Sequence, residues 1–288
     1  MGMLAGKTAV ITGGTRGLGL AIAQVFAQEG AAVMVASRSA SAVEATVAQI
    51  RAEGGRADGM ALDIANLSQV EALADRAIEV FGRLDIWINN AGVAGPYGPT
   101  LALAPDAFDQ VIDTNIRGMY YGSRTALEHF TAQRSGKLIN MLGAGADGPV
   151  AWQNAYASSK TWVRSFTKAL AEENKDSGVG IFAFNPGMVL TDLLTDLRVI
   201  EGSEQRLKVF PTVVRILARP PEMPARRALW IASAATDGKT GLEVKMVYTW
   251  GTVQNAWKEL VRALRRQPAP QGEIKITPVA PYRRSAGG

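Results

Sequence analysis

Runs of consecutive apolar residues alternate along this chain with segments whose apolar residues recur every three to four positions. The runs predict strands at 8–12, 32–36, 56–62, 84–89, 137–141, 179–184 and 243–247. The periodic segments predict helices at 17–29, 41–53, 68–81, 105–130, 155–175 and 224–233. Several strands are almost wholly apolar, as central strands are when helices cover both faces of a sheet. The alternation therefore reads as repeated βαβ units: a doubly wound α/β fold of about seven mostly parallel strands. Two regions break the rhythm. Residues 191–221 show little periodicity and read as a long covering connection. After Trp250 the βα alternation stops, with a basic helix expected at 253–266 and the Pro-rich run QPAPQGEIKITPVAP at 267–281. The expected organisation is one domain over 1–250 and an extension over 251–288.

Composition narrows the chemistry. With no cysteine, disulfides, thiolate metal sites and thiol nucleophiles are excluded, and one histidine leaves little room for a His-rich metal site or a Ser-His-Asp triad. That residue, His129, falls near an expected helix end, where a cation complements the helix dipole. No apolar run approaches the roughly 18 residues that span a bilayer. The first strand follows the N-terminus too closely for a signal peptide, so a cytoplasmic protein is expected. The net charge of +5 belongs to the tail: from 251 onward stand Lys258, Arg262, Arg265, Arg266, Lys275, Arg283 and Arg284 against Glu259 and Glu273. No aromatic-basic interleaving accompanies these bases, so a solvated or subunit-contacting extension is expected rather than nucleic-acid binding.

Between the first strand and the first helix lies Thr12-Gly-Gly-Thr-Arg-Gly-Leu-Gly19. In that position glycines let the backbone approach a pyrophosphate, whose charge the helix N-terminus stabilises. Gly13, Thr15, Arg16, Gly17, Leu18 and Gly19 are thus candidate cofactor-binding residues. NAD-binding folds often end their second strand with a carboxylate for the ribose 2′-hydroxyl. Here the strand ends Val35-Ala-Ser-Arg-Ser39 with no acid. Ser37 and Arg38, with Arg16 nearby, suit a 2′-phosphate instead, which favours NADP(H) over NAD(H). The alternative is that both arginines are ordinary surface charges.

Tyr156 and Lys160, in YASSK, stand four apart and share a helix face. An adjacent ammonium favours a phenolate, so the tyrosine's pKa is expected below its usual 10, suited to exchanging a proton with a carbonyl or alcohol oxygen. With these motifs in order, together with Asp63, Asn89-Asn-Ala-Gly92, Asn115, Asn185-Pro-Gly187 and Thr191, the chain resembles the short-chain dehydrogenase/reductase family over roughly residues 5–250. The resemblance implies a Rossmann fold, nicotinamide-dependent hydride transfer, and Tyr156, Lys160 and Asn115 as the catalytic set. It also implies that Asp63 bonds the adenine amino group and that Asn90, Ala91 and Gly92 line the cofactor channel. Asn115 would hold a water leading to Lys160. Lys160 would bind the nicotinamide ribose, Thr191 the carboxamide, and Pro186-Gly187 would turn beneath the ring, with Ile64 and Val189 alongside. Homodimers or homotetramers through helices 105–130 and 155–175 are implied too.

One position departs from that pattern. The family usually has a serine, sometimes a threonine, thirteen residues before the tyrosine; here it is Gly143, with no Ser or Thr between Ser135 and Ser158. Two readings follow. Either Asn154, Asp147, a backbone N–H of the Gly-rich loop or the substrate itself replaces the hydroxyl, or the protein binds NADP(H) without turnover as a sensor or subunit. Similar Gly-Ala-Gly loops occur in some chlorophyll b reductase-like members of the family. The segments expected around the nicotinamide are apolar: Val93, Pro96, Tyr97, Met141, Leu142, Trp152, Met188, Leu190, Leu193 and Leu194. They suggest a bulky hydrophobic carbonyl or alcohol substrate, with Gly143, Trp152, Asn154, Met188 and Leu194 as candidate contacts.

Overall fold

The computed structural model describes residues 2–246, 250–265 and 274–283. Its main sheet is made of β1 (Thr8–Thr12), β2 (Ala32–Ser37), β3 (Arg56–Ala61), β4 (Ile86–Asn89), β5 (Gly136–Met141), β6 (Val179–Asn185) and β8 (Glu243–Lys245). All pair in parallel, in the order β3-β2-β1-β4-β5-β6-β8. Successive residues serve opposite faces. Ile11, Val33, Val35, Ile88, Ile139 and Phe182 pack under α1 (Gly17–Gln28), α2 (Ala40–Ala52) and α9 (Glu222–Ala232). Val10, Met34, Trp87, Leu138 and Ile181 pack under α3 (Leu67–Phe81), α5 (Gly118–Ala132) and α6 (Asn154–Glu173). The central strands are buried on both faces, which is why they read as apolar runs rather than alternating ones, while the edge strand β3 is only partly covered. This is the doubly wound arrangement that the patterning predicts.

A polar cluster sits among these apolar layers. The Asn89 amide donates to Asn140 Oδ1 (2.9 Å) and Ser123 Oγ (3.0 Å) and accepts from Trp87 Nε1 (2.8 Å), while Asn140 donates to Thr167 Oγ1 (3.1 Å). It ties β4, β5, α5 and α6 together directly beneath the C-terminal strand ends.

Three expectations are corrected. The long helix expected at 105–130 is α4 (Pro105–Ile112) and α5 joined through a π-helical segment, Asp113–Arg117, which centres on the buried Asn115. The segment 191–221 is not a structureless connection. It contains α7 (Asp192–Thr195), β7 (Asp196–Ile200), a 3₁₀ turn and α8 (Phe210–Leu217). In the tail the expected helix is present as α10 (Trp250–Leu264), but the Pro-rich run contains a strand, β9 (Lys275–Val279), which runs parallel to β7 as a two-stranded ribbon. That ribbon lies over the 96–100 loop, where Tyr97 N–H donates to Arg198 O (2.8 Å) and Ile200 N–H donates to Tyr97 O (2.8 Å). The predicted strand residue Val247 and helix residue Arg266, with 267–273 of the Pro-rich run, lie outside the described residues. No described helix is long and apolar enough to cross a membrane.

Candidate active site

A cleft of about 670 Å³ opens at the C-terminal ends of β1, β4 and β5, where the strand order reverses direction. At one wall, Gly13 and Gly17 take left-handed conformations (φ 64° and 53°), which glycine adopts without steric cost. A side chain on Gly19 would run into the Gly13 carbonyl. The N-terminus of α1 has no side-chain cap and no acid in its first turn, so its amides are free to face an anion. Asn90 holds this loop in place, its amide donating to Thr12 O (3.0 Å) and Gly13 O (3.1 Å). Such a cradle fits a dinucleotide pyrophosphate. Thr15, Arg16, Leu18, Asn90, Ala91 and Gly92 line the same wall.

Toward the edge of the sheet, Ser37, Arg38, Asp63 and Ile64 line the cleft, with Arg38 exposed and no acid at the end of β2. Asp63 Oδ1 accepts from Ala65 N–H (2.9 Å), so this carboxylate also orders its own turn. Arg16 is drawn across the cleft mouth to Asp192 at 3.6 Å, an exposed pair worth little energy. Pro186, Gly187, Met188, Val189, Thr191 and Leu194 form the opposite rim, and a side chain on Gly17 would meet the Thr191 methyl group at 3.0 Å.

At the closed end, α6 presents Tyr156 and Lys160 into the cleft. Lys160 Nζ donates to Met141 O (3.0 Å) and lies 5.7 Å from the Tyr156 ring centre. Both side chains are buried. Desolvation pushes the Tyr156 phenol up to about 12 and the Lys160 ammonium down to about 8. The expected lowering of the tyrosine pKa is therefore not met: burial of the phenol outweighs the ammonium, which is itself partly spent on a carbonyl.

Asn115 does not line the cleft. It is fully buried, with its amide engaged in both directions by the Val93 backbone (2.9 Å each) and donating to Ser159 Oγ (3.0 Å). Ser159 in turn donates to Tyr156 O (2.7 Å), so this chain of bonds fixes the turn of α6 that carries the tyrosine. Ser159 was visible in YASSK, but only its contacts reveal the link.

Gly143 lines the cleft and abuts Tyr156. A Cβ built there would overlap the Tyr156 hydroxyl sterically and lie 3.3 Å from its Cζ and 3.5 Å from Lys160 Cε. A side chain there would crowd the phenol, which would have to shift to admit it. Two of the expected substitutes are turned elsewhere. Asn154 bonds Thr100, and Asp147 pairs with Lys245 (2.6 Å) and Arg164 (3.3 Å), which hold its carboxyl below the usual range. The loop backbone remains: among the described residues the amides of Gly143 and Ala144 have no hydrogen-bond acceptor, and both residues line the cleft.

The apolar lining differs in part from expectation. Val93, Met141, Leu142, Met188, Leu193 and Leu194 face the cleft; Pro96, Tyr97, Trp152 and Leu190 do not. Trp152 has a left-handed backbone (φ 71°) and carries the Arg206 guanidinium 3.8 Å above its ring, which directs it toward the covering segment. Leu197 and Phe210 complete the lining. They escaped the sequence reading because they lie in the segment taken for a connection.

The chain is similar in sequence and fold to known proteins. An uncharacterized oxidoreductase of Bacillus subtilis (strain 168), YxbG, is 33% identical over 275 residues, covering 90% of this chain and 99% of that protein. A 3-ketoacyl-(acyl-carrier-protein) reductase from Brucella melitensis, solved with NADH, superposes with a TM-score of 0.75 at 29% identity, covering 84% of this chain and 97% of that one. An actinorhodin polyketide ketoreductase variant, solved with NADPH, gives 0.76 at 26% identity, covering 85% and 97%. The short chain dehydrogenase family model matches residues 7–201. The glycine cradle and the Tyr156/Lys160 pair fall within the matched residues, and the chain belongs to the short-chain dehydrogenase family and is an oxidoreductase of that type.

Proposed function

We propose that this protein is an NADP(H)-dependent oxidoreductase that interconverts a hydrophobic carbonyl compound and its alcohol, with Tyr156 as acid/base and Lys160 assisting. The observation that carries the reading is the Tyr156 hydroxyl, buried against Gly143 at the closed end of a cleft whose other end is a glycine cradle. When bound, the nicotinamide supplies or accepts the hydride. The chain's own residues manage the proton. In reduction Tyr156 Oη gives its proton to the carbonyl oxygen, and in oxidation its phenolate takes one from the alcohol. A phenol held near 12 is fully protonated at neutral pH, which suits the donor role. The Lys160 ammonium, still mostly protonated at pH 7 with a value of about 8, favours the phenolate left behind. The Gly143 and Ala144 amides are the donors on hand for the substrate oxygen in place of a serine. Asn115 and Ser159 hold the tyrosine's turn in place.

The cofactor preference rests on Ser37 and Arg38 without a neighbouring carboxylate, since a guanidinium pairs well with a 2′-phosphate. The substrate class rests on Met141, Leu142, Met188, Leu193, Leu194, Leu197 and Phe210 around the reacting end. Assembly as a homodimer or homotetramer through α4–α5 and α6 fits the family reading, and Tyr120, 45% exposed, makes a tilted ring contact with Phe166 on those helices. The test is turnover of an apolar ketone panel with NADPH and NADH. Oxidation of NADPH in preference to NADH, lost in Tyr156→Phe, supports the reading. Tight cofactor binding with no turnover across the panel refutes it.

A further inference from the structure

Helix α10 is built inside out. Two of its charged side chains are turned toward the protein, while Lys258 and Arg265 are exposed: Glu259 bonds Arg215 of α8 through both oxygens (3.0 and 3.1 Å) and accepts from Arg262 (2.7 Å). These side chains are only 12–20% exposed. Its apolar face is turned outward, with Val253, Trp257, Leu260 and Leu264 exposed by 55%, 65%, 50% and 75%. A helix lying on a globular protein ordinarily does the reverse. The spacing of four, three and four between these residues draws one narrow seam along the helix, the repeat with which two helices interlock.

What covers the seam can be argued from the charges beside it. An anionic lipid surface is met by helices whose apolar face is edged with lysine and arginine. Here the edges are Gln254, Ala256 and Val261, while Lys258 and Arg265 stand farther round the helix. The tail is strongly basic, so two copies repel each other except along an uncharged strip, and this seam is one. A seam that is apolar, uncharged at its edges and set at the helix-pairing repeat is self-complementary about a two-fold axis.

We propose that α10 docks against α10 of a second copy of this chain. The helix is about 22 Å long, so the contact falls short of the roughly 1,200 Å² of a stable interface by itself. It therefore acts as a weak, concentration-dependent contact. The proposal is independent of the oxidoreductase reading.

The test is sedimentation velocity over a concentration series on the full chain and on Trp257→Lys/Leu260→Lys. Both substitutions fall at exposed positions, so circular dichroism and cofactor affinity are expected to stay unchanged. The wild type should reach about twice the mass of the variant at high concentration. Because the chain has no cysteine, Leu260→Cys protein, alone or mixed with Trp257→Cys protein, should form a disulfide-linked dimer on mild oxidation. Equal masses for wild type and variant, with no cross-link in either mixture, overturn the proposal. So does co-sedimentation of the wild type with phosphatidylserine vesicles at an unchanged mass, which would make a lipid surface the occupant.

Discussion

Restoring the family's usual residue with Gly143→Ser is expected to impair this enzyme. A regained hydroxyl donor would be worth roughly 10²–10³ in rate if room existed for it. Room is short: the new Cβ would overlap the Tyr156 hydroxyl and sit 3.3 Å from Cζ and 3.5 Å from Lys160 Cε. Making space means driving the phenol from its seat, and overpacking of this kind costs about 1–3 kcal/mol. At about 1.4 kcal/mol per decade, kcat should fall about 5- to 150-fold. Gly143→Ala separates the causes, because it adds the Cβ without the hydroxyl and should lose a comparable factor. The assay is steady-state reduction of a ketone from the panel, with cofactor affinity measured by nucleotide fluorescence and expected to hold. A rise in kcat for the serine variant, or full activity in both variants, would refute the reasoning.

Arg38→Ala should lower kcat/KM with NADPH by about 10- to 100-fold, the worth of a charge-assisted contact, while leaving NADH nearly unaffected; paired kinetics with both cofactors check it. Lys160 is protonated up to about pH 8 when folded and up to its ordinary 10.5 when unfolded, so the unfolded chain binds more protons between those values. Stability should therefore rise with pH across that window. Cofactor-free Lys160→Met should be more stable than wild type at pH 7, by up to about 3 kcal/mol, and the gap should close by pH 10; a pH series of urea melts reads this. Asn89→Ala strands the Trp87 indole, Ser123 and Asn140, and should cost about 3 kcal/mol in the same melts.

The parallel sheet could be read from the chain because its strands are buried on both faces and thus carry long apolar runs, as Thr8–Thr12 and Val179–Asn185 do. The glycine cradle could be read for a related reason, since each glycine answers a local backbone need. The covering segment could not. β7 exists because β9, some 80 residues later, pairs with it, and no local periodicity announces a partner so distant. Leu197 and Phe210 were lost with it. Side-chain direction was equally hidden: Trp152 turns to Arg206, Asn154 to Thr100 and Asp147 to Lys245, although all three stand near Tyr156 in sequence. The sign of the tyrosine shift depended on burial, which spacing does not reveal.

The central claim is that Tyr156 moves the proton. It is tested most directly by kcat for Tyr156→Phe, measured beside the dissociation constant for NADPH. The account predicts a fall in kcat of about 10²–10⁴ with cofactor affinity retained. An unchanged kcat would contradict it.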